Sequence, residues 1–130
     1  MYNRRRSVLI AENDRAIAAA LRLHLEREGF SVFVAHDGEQ AAILAARQRF
    51  ELMVLNHNLP TMTGTELCKH VREDLQLTEV PIAICAVPSG DAEAEYLSYQ
   101  YGASIFYKPI DPTTIADFAR TRMTYLVAVN

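Results

Sequence analysis

Apolar runs of four or five residues alternate with stretches whose apolar positions recur every three or four, from one end of the chain to the other. Ser7 to Ala11 is a continuous apolar run, the signature of a strand buried on both faces. From Asp14 to Glu28, Ile17, Leu21 and Leu25 fall at the spacing of one helix face, and Gly29 can end that helix in the left-handed region. Phe30 to Ala35 reads as a second strand, and Asp37-Gly38 as a turn. Glu39 to Gln48 reads as a helix with Ala42, Ala45 and Ala46 small enough for close packing. Leu52 to Leu55 is a third strand, and a helix from about Thr65 to Leu75 buries Leu67, Val71 and Leu75. Pro81 opens a fourth strand ending at Ala86, and Pro88-Ser89-Gly90 turns into a helix over about Asp91 to Tyr101. Ile105 to Tyr107 is a short fifth strand. Asp111-Pro112 starts the last helix, where proline loses no bond because the first helical amides are unpaired.

Five strands, five helices and no internal repeat predict one α/β unit with a parallel sheet covered by helices on both faces. Right-handed crossovers follow. In such sheets ligands gather where the strands end, beside the switch in strand order. At 130 residues the chain suits a single domain, 1–130 with a core over about 6–126.

Composition adds few constraints. Half of the residues are apolar, 22% are charged, and the net charge of −3 gives no drive toward nucleic acid or membrane. Arg4-Arg5-Arg6 reads as a solubilising flank. No apolar stretch approaches the roughly 20 residues of a membrane span and no signal peptide opens the chain, so a cytoplasmic protein is expected. Cys68 and Cys85 lack a CxxC spacing and read as small buried hydrophobes.

The strand exits carry the candidate chemistry. The first delivers Glu12-Asn13-Asp14, the third Asn56-His57-Asn58, the fourth Ala86 and the fifth Lys108-Pro109. Together with Val8-Leu9-Ile10-Ala11, Leu59-Pro60-x-x-x-Gly64, Pro81-Ile82 and Gly102-Ala103, this set resembles the receiver domains of bacterial response regulators over roughly residues 6 to 122. The resemblance implies a doubly wound, flavodoxin-like sheet of order 2-1-3-4-5. It also implies a site in which two acidic residues and an acceptor aspartate hold Mg²⁺. A backbone carbonyl two residues past the acceptor adds an oxygen, a Thr or Ser hydroxyl contacts the phosphoryl group, and a lysine pairs with it.

Transferred residue by residue, Glu12 keeps one acidic position, Asn58 supplies the carbonyl, and Lys108 and Pro109 keep the lysine and its proline, for which the resemblance implies a cis peptide. Asn13 stands in place of the second acid, Asn56 in place of the acceptor, and Ala86 in place of the hydroxyl. An amide has no carboxylate nucleophile, so phosphorylation at Asn56 is not expected. Mg²⁺ dehydrates reluctantly and favours carboxylates, so it is expected to bind weakly or not at all, and no other cofactor is implied. Lys108 is then free to pair with Glu12 or Asp14. Asp14 also suits the N-cap of the first helix, and His57 reads as an exposed loop residue. The aromatic that moves with the switch would fall at Ile105 by count, with Phe106 one place on. Tyr96, Tyr99 and Tyr101 could anchor a partner, as tyrosine is enriched at interfaces.

The expected role is a phosphorylation-independent interaction module in a two-component pathway, not an enzyme. Its partner would be a histidine kinase or output protein, or a second copy through the face of the fourth helix, fifth strand and fifth helix. No nucleic-acid contact is expected, and no DNA-binding output domain is expected after the last helix. Two alternatives stay open: a receiver phosphorylated on another carboxylate such as Asp14, and a small enzyme on the same fold. The second has no glycine-rich phosphate loop after the first strand and no G-x-S-x-G elbow to support it.

Overall fold

Residues 5–88 and 92–129 are described by the structure, a computed structural model. Arg4 of the basic flank, Ser89 and Gly90 of the expected turn, and Asp91 at the expected helix start lie outside those residues. The alternation of strand and helix is as the apolar pattern predicts. The order is β1 (Ser7–Ala11), α1 (Arg15–Arg27), β2 (Ser31–Ala35), α2 (Gly38–Arg47), β3 (Leu52–Asn56), α3 (Gly64–Lys69), β4 (Ile82–Ala86), α4 (Ala92–Gln100), β5 (Ser104–Tyr107) and α5 (Pro112–Val129). All pairings are parallel and the strand order is β2-β1-β3-β4-β5.

Successive side chains of a strand point to opposite faces, so each central strand feeds two cores. On one face Leu9, Met53, Leu55, Ile82 and Ile84 pack with Ala41, Ala45, Leu67 and Val71 of α2 and the α3 segment. On the other, Val8, Ile10, Val54 and Ala83 pack with Leu21, Leu25, Ile115 and Ala119 of α1 and α5. β1, β3 and β4 are buried along their whole length, which is why they read as unbroken apolar runs.

Several local expectations shift by a residue. The buried face of α1 is Ala18, Leu21 and Leu25, centred between the sheet and α5, and Ile17 rolls outward to 39% exposure. In α2 the buried residues are Gly38, Ala41 and Ala45; Ala42 is half-buried and Ala46 exposed. The third helix is not uniform: after Lys69 it widens into a π-helical turn over His70–Asp74, and Leu75 closes it half-buried. Asp37 is not a turn residue but the N-cap of α2, its carboxylate accepting from the Gln40 amide. Gly38 is required there by a close approach: a Cβ would lie 2.2 Å from the Met62 carbonyl oxygen. Gly29, at φ +95°, ends α1 as expected.

Candidate functional site

β1 and β3 are neighbours in register, Ala11 beside Leu55, so Glu12 and Asn56 leave the sheet side by side. β4 lies on the other side of β3, with Cys85 opposite Asn56, and the Lys108 amide donates to the Ala86 carbonyl at 2.9 Å. The topology therefore brings Glu12, Asn13, Asn56, Asn58, Ala86 and Lys108 to one end of the sheet, as the sequence implies. The Lys108-Pro109 peptide is cis.

Asn56 organises this crevice. It is 5% exposed, as is Glu12. Its side-chain nitrogen donates to Glu12 Oε2 at 3.2 Å and Asn13 Oδ1 at 2.9 Å, and it lies 3.4 Å from the Asn58 carbonyl oxygen. Its side-chain oxygen accepts from the Asn58 amide at 3.2 Å. That orientation follows from the partners. A carboxylate and a backbone carbonyl only accept, and a backbone N–H only donates, so nitrogen faces the first two and oxygen the third.

The oxygens around the Asn56 nitrogen are those that the resemblance assigns to a divalent cation. They do not fit one. A resident N–H donor points into the space between them, and Glu12 is the only carboxylate among them. The second acid on this loop, Asp14, is turned away: its Oδ1 accepts from the Ala16 and Ile17 amides and caps α1. Among the described residues no group of three or more His, Cys, Asp or Glu side chains could hold a metal ion.

Lys108 does not pair as expected. Among the described residues it forms no ion pair with Glu12 or Asp14. Both acids are already engaged, Glu12 Oε2 by the Asn56 amide and by the Asp14 backbone amide at 2.9 Å, Asp14 by its helix. Lys108 still acts on the crevice electrostatically. The Cys85 thiol is pushed up to about 12, chiefly by burial and then by the Glu12 charge, with Lys108 pulling in the opposite direction. Cys85 and Cys68 are both buried and free, and burial raises Cys68 to about 11. Ala86 is buried at the end of β4 and offers no hydroxyl.

Two histidines bear on the site in ways the sequence hides. His57 is not an exposed loop residue; it is 8% exposed. Its amide extends the β3–β4 ladder by donating to the Cys85 carbonyl at 2.8 Å, and its Nδ1 lies 3.3 Å from Thr65 Oγ1. His36 leaves β2 beside β1, and its Nδ1 donates to the Glu12 carbonyl at 2.9 Å. The one available signal for it is strand order, which sets the exits of β1 and β2 together.

Strand alternation separates the expected switch positions. The Phe106 ring packs edge-on against Phe118 of α5, with centroids 5.2 Å apart. Ile105 pairs with Ile84 and lies on the opposite face, half-buried. Tyr107 is exposed and its hydroxyl donates to Glu95 of α4 at 2.6 Å. The three expected tyrosine anchors also divide. Tyr96 and Tyr99 are 66% and 88% exposed, whereas Tyr101 packs on the core and donates to Glu73 at 2.5 Å.

Comparison with known proteins places this geometry among relatives. A family model described as "Response regulator receiver domain" matches residues 8–120. The alkaline phosphatase synthesis transcriptional regulatory protein PhoP of Bacillus subtilis is 30% identical over 111 residues, 85% of this chain and 45% of that protein. The chain spans about half the length of the curated relatives it matches first, 45% and 49%. The chemotaxis response regulator CheY4 of Vibrio cholerae superposes with a TM-score of 0.81 at 27% identity, over 92% of this chain and 99% of that one. A CheY-like receiver from Methanospirillum hungatei gives 0.85 over 98% and 100%; its 22% identity speaks for the fold alone.

Proposed function

We propose that this chain, which belongs to the response-regulator receiver domain family of two-component signalling, is not phosphorylated at Asn56 and acts as a phosphorylation-independent interaction module. The observation that carries this reading is the Asn56 amide. It lacks the nucleophilic carboxylate that phosphoryl transfer needs. It also satisfies Glu12, Asn13 and Asn58 with its own donor, so the crevice is complete without a metal. Ala86 supports the same reading, because no hydroxyl there can draw toward a phosphoryl oxygen. Receiver domains are generally signalling modules, and no catalytic step is assigned to this one.

Its partners are a histidine kinase, an output protein or a second copy of the chain. The face that supports docking is built from α4, β5 and α5. There Tyr96, Tyr99, Tyr107 and Val87 stand exposed, a clustering of apolar and aromatic groups of the kind found at interfaces. The net charge of −3 argues against a nucleic-acid partner, and no described helix is long and apolar enough to cross a membrane. A cytoplasmic site of action is part of the proposal. Size-exclusion chromatography with small-angle scattering, with and without beryllofluoride and Mg²⁺, tests the reading. Unchanged mass and shape are expected; a shift toward a dimer or a new conformation on adding the phosphoryl mimic overturns it.

A further inference from the structure

The loops at the strand ends are tied to one another in a closed circuit. Asn56 joins the β3 exit to Glu12 and Asn13 after β1. The Glu12 amide donates to the Ala35 carbonyl at 2.9 Å, and its own carbonyl accepts from His36, which joins the β1 exit to the β2 exit. From there α2 begins, and its first amides reach across to the loop after β3. Gly38 donates to the Pro60 carbonyl at 3.0 Å and Glu39 to Thr61 Oγ1 at 3.0 Å. The circuit closes through Asn58, whose amide returns to Asn56 at 3.2 Å.

Two features show that the arrangement is held rather than relaxed. Thr61 sits at φ +68°, where a residue with a Cβ is disfavoured and persists only when its surroundings fix it. The Thr61 hydroxyl supplies that fixation by accepting from an α2 amide that would otherwise lack an intrahelical partner. Gly38 lies so close to Met62 that no side chain fits between them.

We infer that Asn56, His36 and Thr61 close a cation-independent ring of hydrogen bonds that holds the three strand-end loops in a single arrangement. The ring deepens the proposed function and rests on its reading of the crevice as unreactive. It supplies the conformational side: a receiver surface presented constantly, with the amide of Asn56 doing the tethering between loops.

Hydrogen exchange of the full chain, resolved at single amides by NMR, tests it. In the wild type the Asn58 and Glu39 amides are expected to exchange at the same rate in EDTA and in millimolar Mg²⁺. Thr61→Ala keeps the Cβ and removes the hydroxyl. It is expected to speed Glu39 by about fivefold, the factor for one net hydrogen bond, and to speed Asn58 as well although Thr61 does not touch it. Acceleration confined to Glu39 overturns the ring, and so does Mg²⁺-dependent slowing in the wild type. A phosphorylated product in a separate mass measurement would instead overturn the functional reading, so the two failures are distinct.

Discussion

Asn56→Asp restores the acceptor carboxylate, and the structure sets what that costs the fold. The substitution turns a donor into an acceptor among acceptors. Contacts at 3.2 Å to Glu12 and 2.9 Å to Asn13 are lost as hydrogen bonds, about 2 kcal/mol at about 1 kcal/mol net each. A new charge then faces buried Glu12. At 3.2 Å the repulsion has a ceiling of about 5 kcal/mol for an effective dielectric of about 20. Loop movement and proton uptake relieve most of it, leaving about 1–2 kcal/mol. The total, about 3–4 kcal/mol, corresponds to a fall in Tm of about 11–15 °C for a domain of this size. The sign with pH follows from the pair. Facing Glu12, the introduced carboxylate binds its proton more tightly folded than unfolded, so the deficit grows as pH rises. Urea melts in EDTA at about pH 5 and about pH 8 measure it, and millimolar Mg²⁺ should recover part of the loss in the variant while leaving the wild type unmoved. A variant as stable as the wild type in EDTA at about pH 8 would refute the reasoning, because the amide would then not be holding the crevice together.

Other outcomes follow from single contacts. Asp14→Ala should lower stability by about 1 kcal/mol in chemical denaturation, as loss of the α1 cap, with no change in Mg²⁺ response; a changed Mg²⁺ response would restore Asp14 as a ligand. Gly38→Ala forces a Cβ to within 2.2 Å of the Met62 carbonyl and should destabilise by at least about 1–3 kcal/mol, whereas Gly29→Ala, with open space around it, should cost only its backbone strain. Cys68 and Cys85, pushed up to about 11 and about 12, should resist thiol reagents at about pH 8 until the chain is unfolded. Because both are raised in the fold, their contribution to stability is full below the ordinary thiol range and falls as pH climbs through it, which denaturant melts at rising pH will register.

Much of the fold was legible because β1, β3 and β4 are buried on both faces and so appear as uninterrupted apolar runs. The site was legible through chain order, since parallel strands deliver their exits to one edge. What stayed hidden depends on competition between partners. The sequence leaves Lys108 free to meet Glu12 or Asp14, yet Glu12 Oε2 is taken by Asn56 and the Asp14 amide and Asp14 Oδ1 by its helix, and no sequence pattern reveals which donor wins. His57 reads as a loop residue because its ladder bond to Cys85 and its Thr65 contact, both made under cover, leave no mark in the sequence. The buried faces of α1 and α2 lie one position from where the apolar pattern points, because alanines at 18 and 41 serve the core as well as larger neighbours. The π-helical turn after Lys69 leaves no mark in residue type, since it changes bond spacing and not composition.

Intact mass spectrometry of the full chain, after incubation with a small-molecule phosphodonor and Mg²⁺, addresses the central claim most directly. The wild type is predicted to keep its unmodified mass under conditions that phosphorylate an ordinary receiver assayed beside it. A mass increase of one phosphoryl group, on Asp14 or any other crevice residue, would contradict the account.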